Sequence, residues 1–360
     1  MAQIDAFFKL MNSQGASDLH MVAGQQPVLR IHGDMERVKY AVLENNELKG
    51  MLYEIVPEDR VKRFEETGDV DFGYEITGLA RYRGNLFNQR NGIGAVFREI
   101  PSDILTVKQL GLPTVVSRLS TLPKGLVLVT GPTGSGKSTT LAAIVDEINK
   151  NRKDHILTIE DPIEFVHQSQ NCIVNQREVG AHTQTFSAAL RGALREDPDV
   201  ILVGEMRDLE TIALAMEAAM TGHLVFGTLH TLNASKTVDR VIEIFPSTQQ
   251  SQVRSTLADA LRAVVSQTLF KRVDVKGRVA ALEILICTPA VRNLIREAKT
   301  YQIPSAMQTG KKYGMQTLDD AIMELVQKRW ISPDSAYSHA IDKTKFLPFL
   351  KKPPSDFTDA

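Results

Sequence analysis

Gly131-Pro132-Thr133-Gly134-Ser135-Gly136-Lys137-Ser138 fits the pattern G-x-x-x-x-G-K-[ST] and stands where that pattern has mechanical meaning. Before it, Leu126-Val127-Leu128-Val129-Thr130 reads as a short buried strand. After it, Leu141, Ile144, Val145 and Ile148 recur at helical spacing. Strand, glycine loop and helix together predict a phosphate cradle, with backbone N–H groups and a helix N-terminus turned toward an anion. Gly131, Thr133, Gly134, Ser135, Gly136, Lys137, Ser138 and Thr139 are the candidate nucleotide-binding residues. Lys137 would reach the β- and γ-phosphates of ATP, and the Ser138 hydroxyl would ligate Mg²⁺.

From this loop onward the sequence alternates between strand and helix patterns. Strand candidates fall at 126–130, 155–160, 200–204 and 224–229, which predicts a largely parallel sheet covered on both faces. Thr288 with Pro289 predicts a helix start, and Thr317 predicts another whose Ile322, Leu325 and Val326 share a face.

The residues ahead of the loop read differently. A short amphipathic helix, strands at 18–23 and 28–32, a turn at Gly33-Asp34 and a helical stretch over 48–66 lead to strands at 70–76, 81–89 and 94–100. Asn91-Gly92 marks a hairpin between the last two strands. The expected organisation is a small α+β domain over 1–100, a connector over 101–123 holding a helix near 112–119, an ATPase domain over 124–345, and a flexible tail over 346–360. The connector, punctuated by Pro and Gly, is the expected hinge.

Composition narrows the classes. With 42 basic against 43 acidic residues, the net charge of −1 offers no global basic field for nucleic acid or anionic membrane. Cys172 and Cys287 are far apart and outside any CxxC pair, which argues for reduced thiols in a cytoplasmic protein and against a disulfide framework or zinc site. No apolar run approaches the ~18 residues of a membrane span, and the N-terminus has no secretory-signal pattern.

Hydrolysis of a triphosphate needs a group to orient water and cations for the developing charge. The apolar strand that ends Val203-Gly204-Glu205 has the Walker B arrangement, with Gly204 in place of the usual aspartate, and Glu205 is the first candidate to polarise water. Glu160-Asp161-Pro162-Ile163-Glu164 closes the strand after the loop helix, at the edge where ligands bind in such sheets. Its acids are candidates to hold Mg²⁺ through water or to orient the nucleophile, or else solvated turn residues. His223 and His230 bracket another apolar strand, with His230 at the catalytic end or serving as a satisfied structural histidine. Arg81 and Arg83 share one strand face, while Arg191 and Arg195 stand four apart on a predicted helix. Each arginine is either a charge-stabilising group or a solvated one.

GPTGSGKSTT, EDPIE, LRGALREDPDVILVGEMRD and TGHLVFGTLH, in this order, resemble the secretion ATPase superfamily, the motors of type IV pili and type II secretion. GASDLH near the N-terminus and AVRNLIRE (Ala290, Val291, Arg292, Asn293, Leu294, Ile295, Arg296, Glu297) resemble its pilus-retraction branch. The absence of a longer N-terminal region and of a four-cysteine zinc insertion points the same way. The resemblance implies an α/β fold: a RecA-like P-loop NTPase domain preceded by a smaller α+β, PAS-like domain. It implies a homohexamer that hydrolyses ATP with Mg²⁺ to depolymerise pilin, working on an inner-membrane platform protein from the cytoplasmic face. Under it Glu205 is the catalytic glutamate, Glu164 and His230 are active-site residues, Arg81 and Arg83 are arginine fingers acting in trans, and 290–297 is a surface helix needed for retraction. Three rivals stand beside this reading: an accessory retraction motor that needs a partner ATPase, a nucleic-acid translocase on the same core, and a non-hydrolysing nucleotide-dependent scaffold, against which the intact Lys137, Ser138 and Glu205 argue.

Overall fold

The computed structural model describes residues 2–31, 34–100 and 104–350. The chain divides into two compact units, Met1–Asp103 with the short stretch Glu164–Val166, and Ile104–Ile163 with His167–Ala360.

The first unit runs α1 (Asp5–Ser13), β1 (Asp18–Val22), β2 (Val28–Ile31), β3 (Asp34–Arg37), α2 (Asn45–Tyr53), α3 (Glu58–Thr67), β4 (Asp69–Ile76), β5 (Ala80–Gln89) and β6 (Gly92–Ile100). Its sheet is antiparallel in the order β3-β2-β1-β6-β5-β4. Alternation along β5 buries Ala80, Tyr82 and Leu86, and turns Arg81 and Arg83 to the other face. Phe7, Phe8 and Met11 of α1 cover the apolar face, where the Phe8 ring stacks on Tyr82 with centroids 4.2 Å apart.

The helical stretch expected over 48–66 is two helices. Pro57 is extended (φ −57°, ψ 146°) and begins α3, because proline disfavours helical backbone in the residue before it. β3 has no apolar alternation to announce it and forms by pairing with β2, Arg30 opposite Met35. The β5–β6 hairpin closes through Arg90 and Asn91, since Gln89 pairs with Gly92, and Asn91 keeps a negative φ. His32 and Gly33, at the expected strand end and turn, lie outside the described residues, as do Pro101 and the tail from Lys351.

The second unit runs α4 (Thr114–Arg118), β7 (Gly125–Thr130), α5 (Lys137–Asn151), β8 (His155–Glu160), β9 (Ile173–Glu178), α6 (Phe186–Ala193), β10 (Val200–Val203), α7 (Leu209–Thr221), β11 (Leu224–Leu229), α8 (Ala234–Glu243) and α9 (Ser247–Ala260). It continues through β12 (Leu261–Lys271), β13 (Arg278–Ile286), α10 (Pro289–Arg296), α11 (Ile303–Thr309), α12 (Leu318–Gln327) and α13 (Pro333–His339). The sheet order is β13-β12-β7-β11-β10-β8-β9. Every neighbouring pair is parallel except β12 and β13.

Burial on both faces explains the unbroken apolar runs of the central strands. Along β7, Leu126 and Leu128 enter the core beneath α7 and α9, whereas Val127 and Val129 enter the opposite core with Leu141 and Ile144 of α5. Val107, Val115, Val116 and Leu119 join that second core, so much of 104–119 packs as part of this unit. The predicted caps form: Thr288 accepts from Val291 N and Thr317 from Asp320 N. Arg195 lies beyond the end of α6, because Asp197-Pro198 follows and Asp197 turns to φ 53°, and Arg191 pairs with Glu210. Cys172 and Cys287 are buried free thiols, and burial pushes the Cys287 thiol up to about 12. Among the described residues no helix is long and apolar enough to cross a membrane.

Candidate nucleotide-hydrolysis site

The central strands bring the predicted residues to one edge. Register pairs Thr130, the last residue of β7, with Leu229, the last of β11, and pairs Gly227 of β11 with Val203 of β10. Gly131, His230 and Gly204-Glu205 therefore leave the sheet side by side at its carboxyl end. His223 stands at the other end of β11, its Nδ1 2.9 Å from Ala218 O.

The loop between β7 and α5 turns on Gly131, Gly134 and Gly136, all at positive φ. Gly136 (φ 87°) caps α5, so Lys137, Ser138 and Thr139 are its first three residues and their N–H groups face outward from the helix start. Thr133 and Gly134 are exposed at the crest, whereas Ser135 is buried. Lys137 Nζ donates to Gly131 O at 2.9 Å and to Pro132 O at 3.1 Å, which holds the ammonium across the mouth of the loop.

Glu205 is held from both sides. Gly204 N donates to Ile159 O at 2.7 Å and Met206 N to Thr228 O at 3.0 Å, while Thr228 Oγ1 donates to Gly204 O at 2.5 Å. Gly204 answers a steric demand: a Cβ there would lie 3.1 Å from Ile159 O and 3.2 Å from Glu160 Cα. A side chain at the site of the expected Walker B aspartate would crowd the β8 backbone, which would have to give by a few tenths of an ångström. His230 Nε2 lies 2.8 Å from Glu205 Oε1, and the Arg207 guanidinium pairs with the same oxygen. Partial burial pushes the Glu205 carboxyl up, but Arg207 and His230 outweigh it, and the carboxyl falls below the usual glutamate range.

The acidic box stays dispersed. Glu160 Oε1 accepts from Thr158 Oγ1 at 2.7 Å and Gln176 Nε2 at 3.3 Å, and Ile163 N donates to Glu178 Oε2 at 3.1 Å. Asp161 and Glu164 are exposed at the turn, and Glu164 groups with the first unit. Among the described residues no cluster of three or more His, Cys, Asp or Glu could hold a metal ion. Arg81 and Arg83 belong to the first unit, where Arg81 stands 3.7 Å from Glu75 and Arg83 3.7 Å from Asp71, with Arg83 the more exposed.

α10 carries the AVRNLIRE segment. Val291 and Ile295 are fully buried and Leu294 is half-buried, whereas Ala290, Asn293, Arg296 and Glu297 are exposed. The two arginines are engaged: Arg292 Nε donates to Cys287 O at 3.1 Å, and Arg296 pairs with Asp259 at 2.5 Å. Two site residues escaped the sequence reading. Arg207 stands two positions after Glu205, close enough to have been noticed, while Gln267, which donates to Ser135 O of the loop, sits in β12, a strand with no motif at all.

A glycine-loop cradle beside a carboxylate–imidazole pair, at the carboxyl edge of a mostly parallel sheet, defines a RecA-like P-loop NTPase domain. The model of the family "Type II/IV secretion system protein" matches residues 103–283, and the chain belongs to that family. It is 58% identical to the type IV pilus retraction ATPase PilT of Pseudomonas aeruginosa over 327 residues, 91% of this chain and 95% of that protein. It is 38% identical to the type IV pilus ATPase PilU of the same organism, covering 94% of this chain and 88% of PilU. A crystal structure of the pilus retraction motor PilT with bound ADP superposes with a TM-score of 0.89 at 44% identity, covering 96% of this chain and 98% of that one.

Proposed function

We propose that this protein is an ATPase that drives type IV pilus retraction, hydrolysing ATP at the edge where the 131–138 loop, Glu205 and His230 meet. The observation that carries the chemistry is the Glu205–His230 contact at 2.8 Å beside the loop. A carboxylate held ionised by Arg207 can accept a hydrogen bond from the attacking water, while the imidazole fixes its orientation. The loop amides and Lys137 would hold the phosphates once the ammonium turns from the Gly131 and Pro132 carbonyls. The 58% identity to PilT over most of both chains, against 38% to PilU, supports the retraction motor over the accessory one.

The donor set fits Mg²⁺ carried in with the nucleotide. Ser138, second residue of α5, offers a hydroxyl at the phosphate end, and among the described residues no carboxylate cage competes. The metal would neutralise phosphate charge, with Ser138 as its protein ligand and Glu164 reaching it at most through water. Further parts of the reading are a homohexamer on the cytoplasmic face of the inner membrane, engagement of a platform protein through α10, and Arg81 and Arg83 acting on a neighbouring subunit's nucleotide. Nucleotide binding and release would shift the preferred arrangement of the motor between two states.

Deleting the gene tests the direction of work: excess pili with lost surface motility support retraction, and bald cells would refute it. Phosphate release by the purified protein tests the chemistry.

A further inference from the structure

We propose that Gln267 is a positioning residue for the nucleotide, setting the shape of the phosphate loop from a strand outside it; the inference rests on the reading of 131–138 as a nucleotide cradle. Gln267 is only 4% exposed, and both ends of its amide are committed. Nε2 donates to Ser135 O at 2.6 Å, and Oε1 accepts from Thr140 Oγ1 at 2.7 Å. A backbone carbonyl can only accept, so the amide orientation is settled by Ser135. One side chain thus spans from the loop to the first turn of α5.

The register explains how it gets there. Ser266 of β12 lies opposite Thr130, the last residue of β7, and their hydroxyls share a hydrogen bond of 2.7 Å. The next residue of β12 therefore runs beside the loop itself. Its approach brings it against two of the motif's glycines. A Cβ at Gly131 would fall 2.3 Å from the Gln267 carbonyl oxygen, and one at Gly136 would fall 2.7 Å from Gln267 Nε2. Both glycines also hold positive φ, 140° and 87°, so backbone conformation and the approach of β12 favour glycine there together.

The functional consequence follows from peptide geometry. In a trans peptide the C=O and the next N–H point in opposite directions. Fixing the Ser135 carbonyl toward Gln267 therefore aims the Gly136 N–H away from β12, at the head of α5, where the helix start favours an anion. Without that tie the 135–136 peptide is free to rotate, and the amide no longer waits for a phosphate.

The test uses the full-length protein with ADP as the probe and compares Gln267→Glu, Gln267→Met and Thr140→Val. Gln267→Glu keeps the acceptor for Thr140 but loses the donor to Ser135, while Gln267→Met loses both. Both variants are expected to weaken ADP binding about tenfold or more, the scale of a buried carbonyl left without its donor, and to raise KM for ATP in parallel with kcat within about threefold. Thr140→Val, which keeps the Ser135 tie, should weaken ADP binding by less than about threefold. ADP affinity within about twofold of the unaltered protein for a folded Gln267→Met or Gln267→Glu, or a fall in kcat with KM unchanged, would overturn the proposal. A lowered unfolding midpoint with unchanged ADP affinity would reduce Gln267 to a packing role and overturn it equally. If the unaltered protein failed to bind ADP, the nucleotide reading would fall and take this inference with it.

Discussion

His230 Nε2 and Glu205 Oε1 meet at 2.8 Å from two neighbouring strands, and the backbones behind them are tied as well, Met206 N to Thr228 O and Thr228 Oγ1 to Gly204 O. The carboxylate and the imidazole are therefore one unit held by β10 and β11. Glu205→Gln removes the base and leaves the loop untouched. Turnover is expected to fall about 10²–10⁴-fold with ADP affinity unchanged. Unchanged phosphate release from the purified variant would sink the assignment.

Arg207 holds the Glu205 carboxyl down against the effect of its partial burial. A depressed carboxyl stays ionised further into the acid range, so the acid limb of kcat/KM should lie below the ordinary glutamate range. Removing the cation with Arg207→Ala raises that carboxyl, and the acid limb should move to higher pH. A pH–rate profile of the two proteins checks the sign.

A side chain at Gly204 would crowd Ile159 O and Glu160 Cα, 3.1 and 3.2 Å from its Cβ. Gly204→Ala should reduce turnover by displacing Glu205, and Gly204→Asp, which installs the Walker B aspartate, should do so more severely. If Gly204→Asp matched or exceeded the parent rate, the steric account would be wrong.

His167 is 7% exposed, its Nδ1 has no hydrogen-bond partner among the described residues, and burial lowers its imidazole from 6.5 to about 4 despite the opposing pull of Asp146. Between these values the unfolded chain binds a proton that the folded chain refuses, so stability is full above 6.5 and declines as pH falls toward 4. The loss is on the order of 3 kcal/mol. Denaturant titrations at stepped pH should show this slope, and His167→Gln should flatten it.

α10 separates packing from display. Ile295→Ala empties a fully buried site and should cost about 2–5 kcal/mol of stability. Asn293→Ala changes an exposed side chain whose contact is Glu297 of the same segment. It should leave ATP turnover within about twofold, as surface changes usually do, while abolishing twitching. Normal motility in cells carrying Asn293→Ala would remove α10 from the coupling surface.

The parts of the fold that could be read in advance are those whose causes are local. The flanks of Gly131 to Ser138 announce strand and helix by apolar spacing, and Thr288-Pro289 and Thr317 announce helix starts by capping chemistry. β3, β9, β12 and β13 exist because a neighbouring strand receives them, and nothing in Asp34-Met35-Glu36-Arg37 hints at that. The same division runs through the site. Glu205 and His230 stand at the ends of legible apolar strands, so their meeting could be anticipated. Gln267 acts across 132 residues of sequence on Ser135, and only the β7–β12 register brings the two together. Gly204 looked like a missing ligand in the sequence and is a fitted contact in the fold.

Cys172 and Cys287, 3% and 4% exposed, lie beneath packed side chains. That seclusion makes the native chain a quiet background for thiol chemistry. A single cysteine introduced on the displayed face of α10, as in Asn293→Cys, would carry a fluorophore or spin label with little competition from the parent thiols. The surface proposed for force transmission can then be watched, turnover by turnover, in a protein otherwise unaltered.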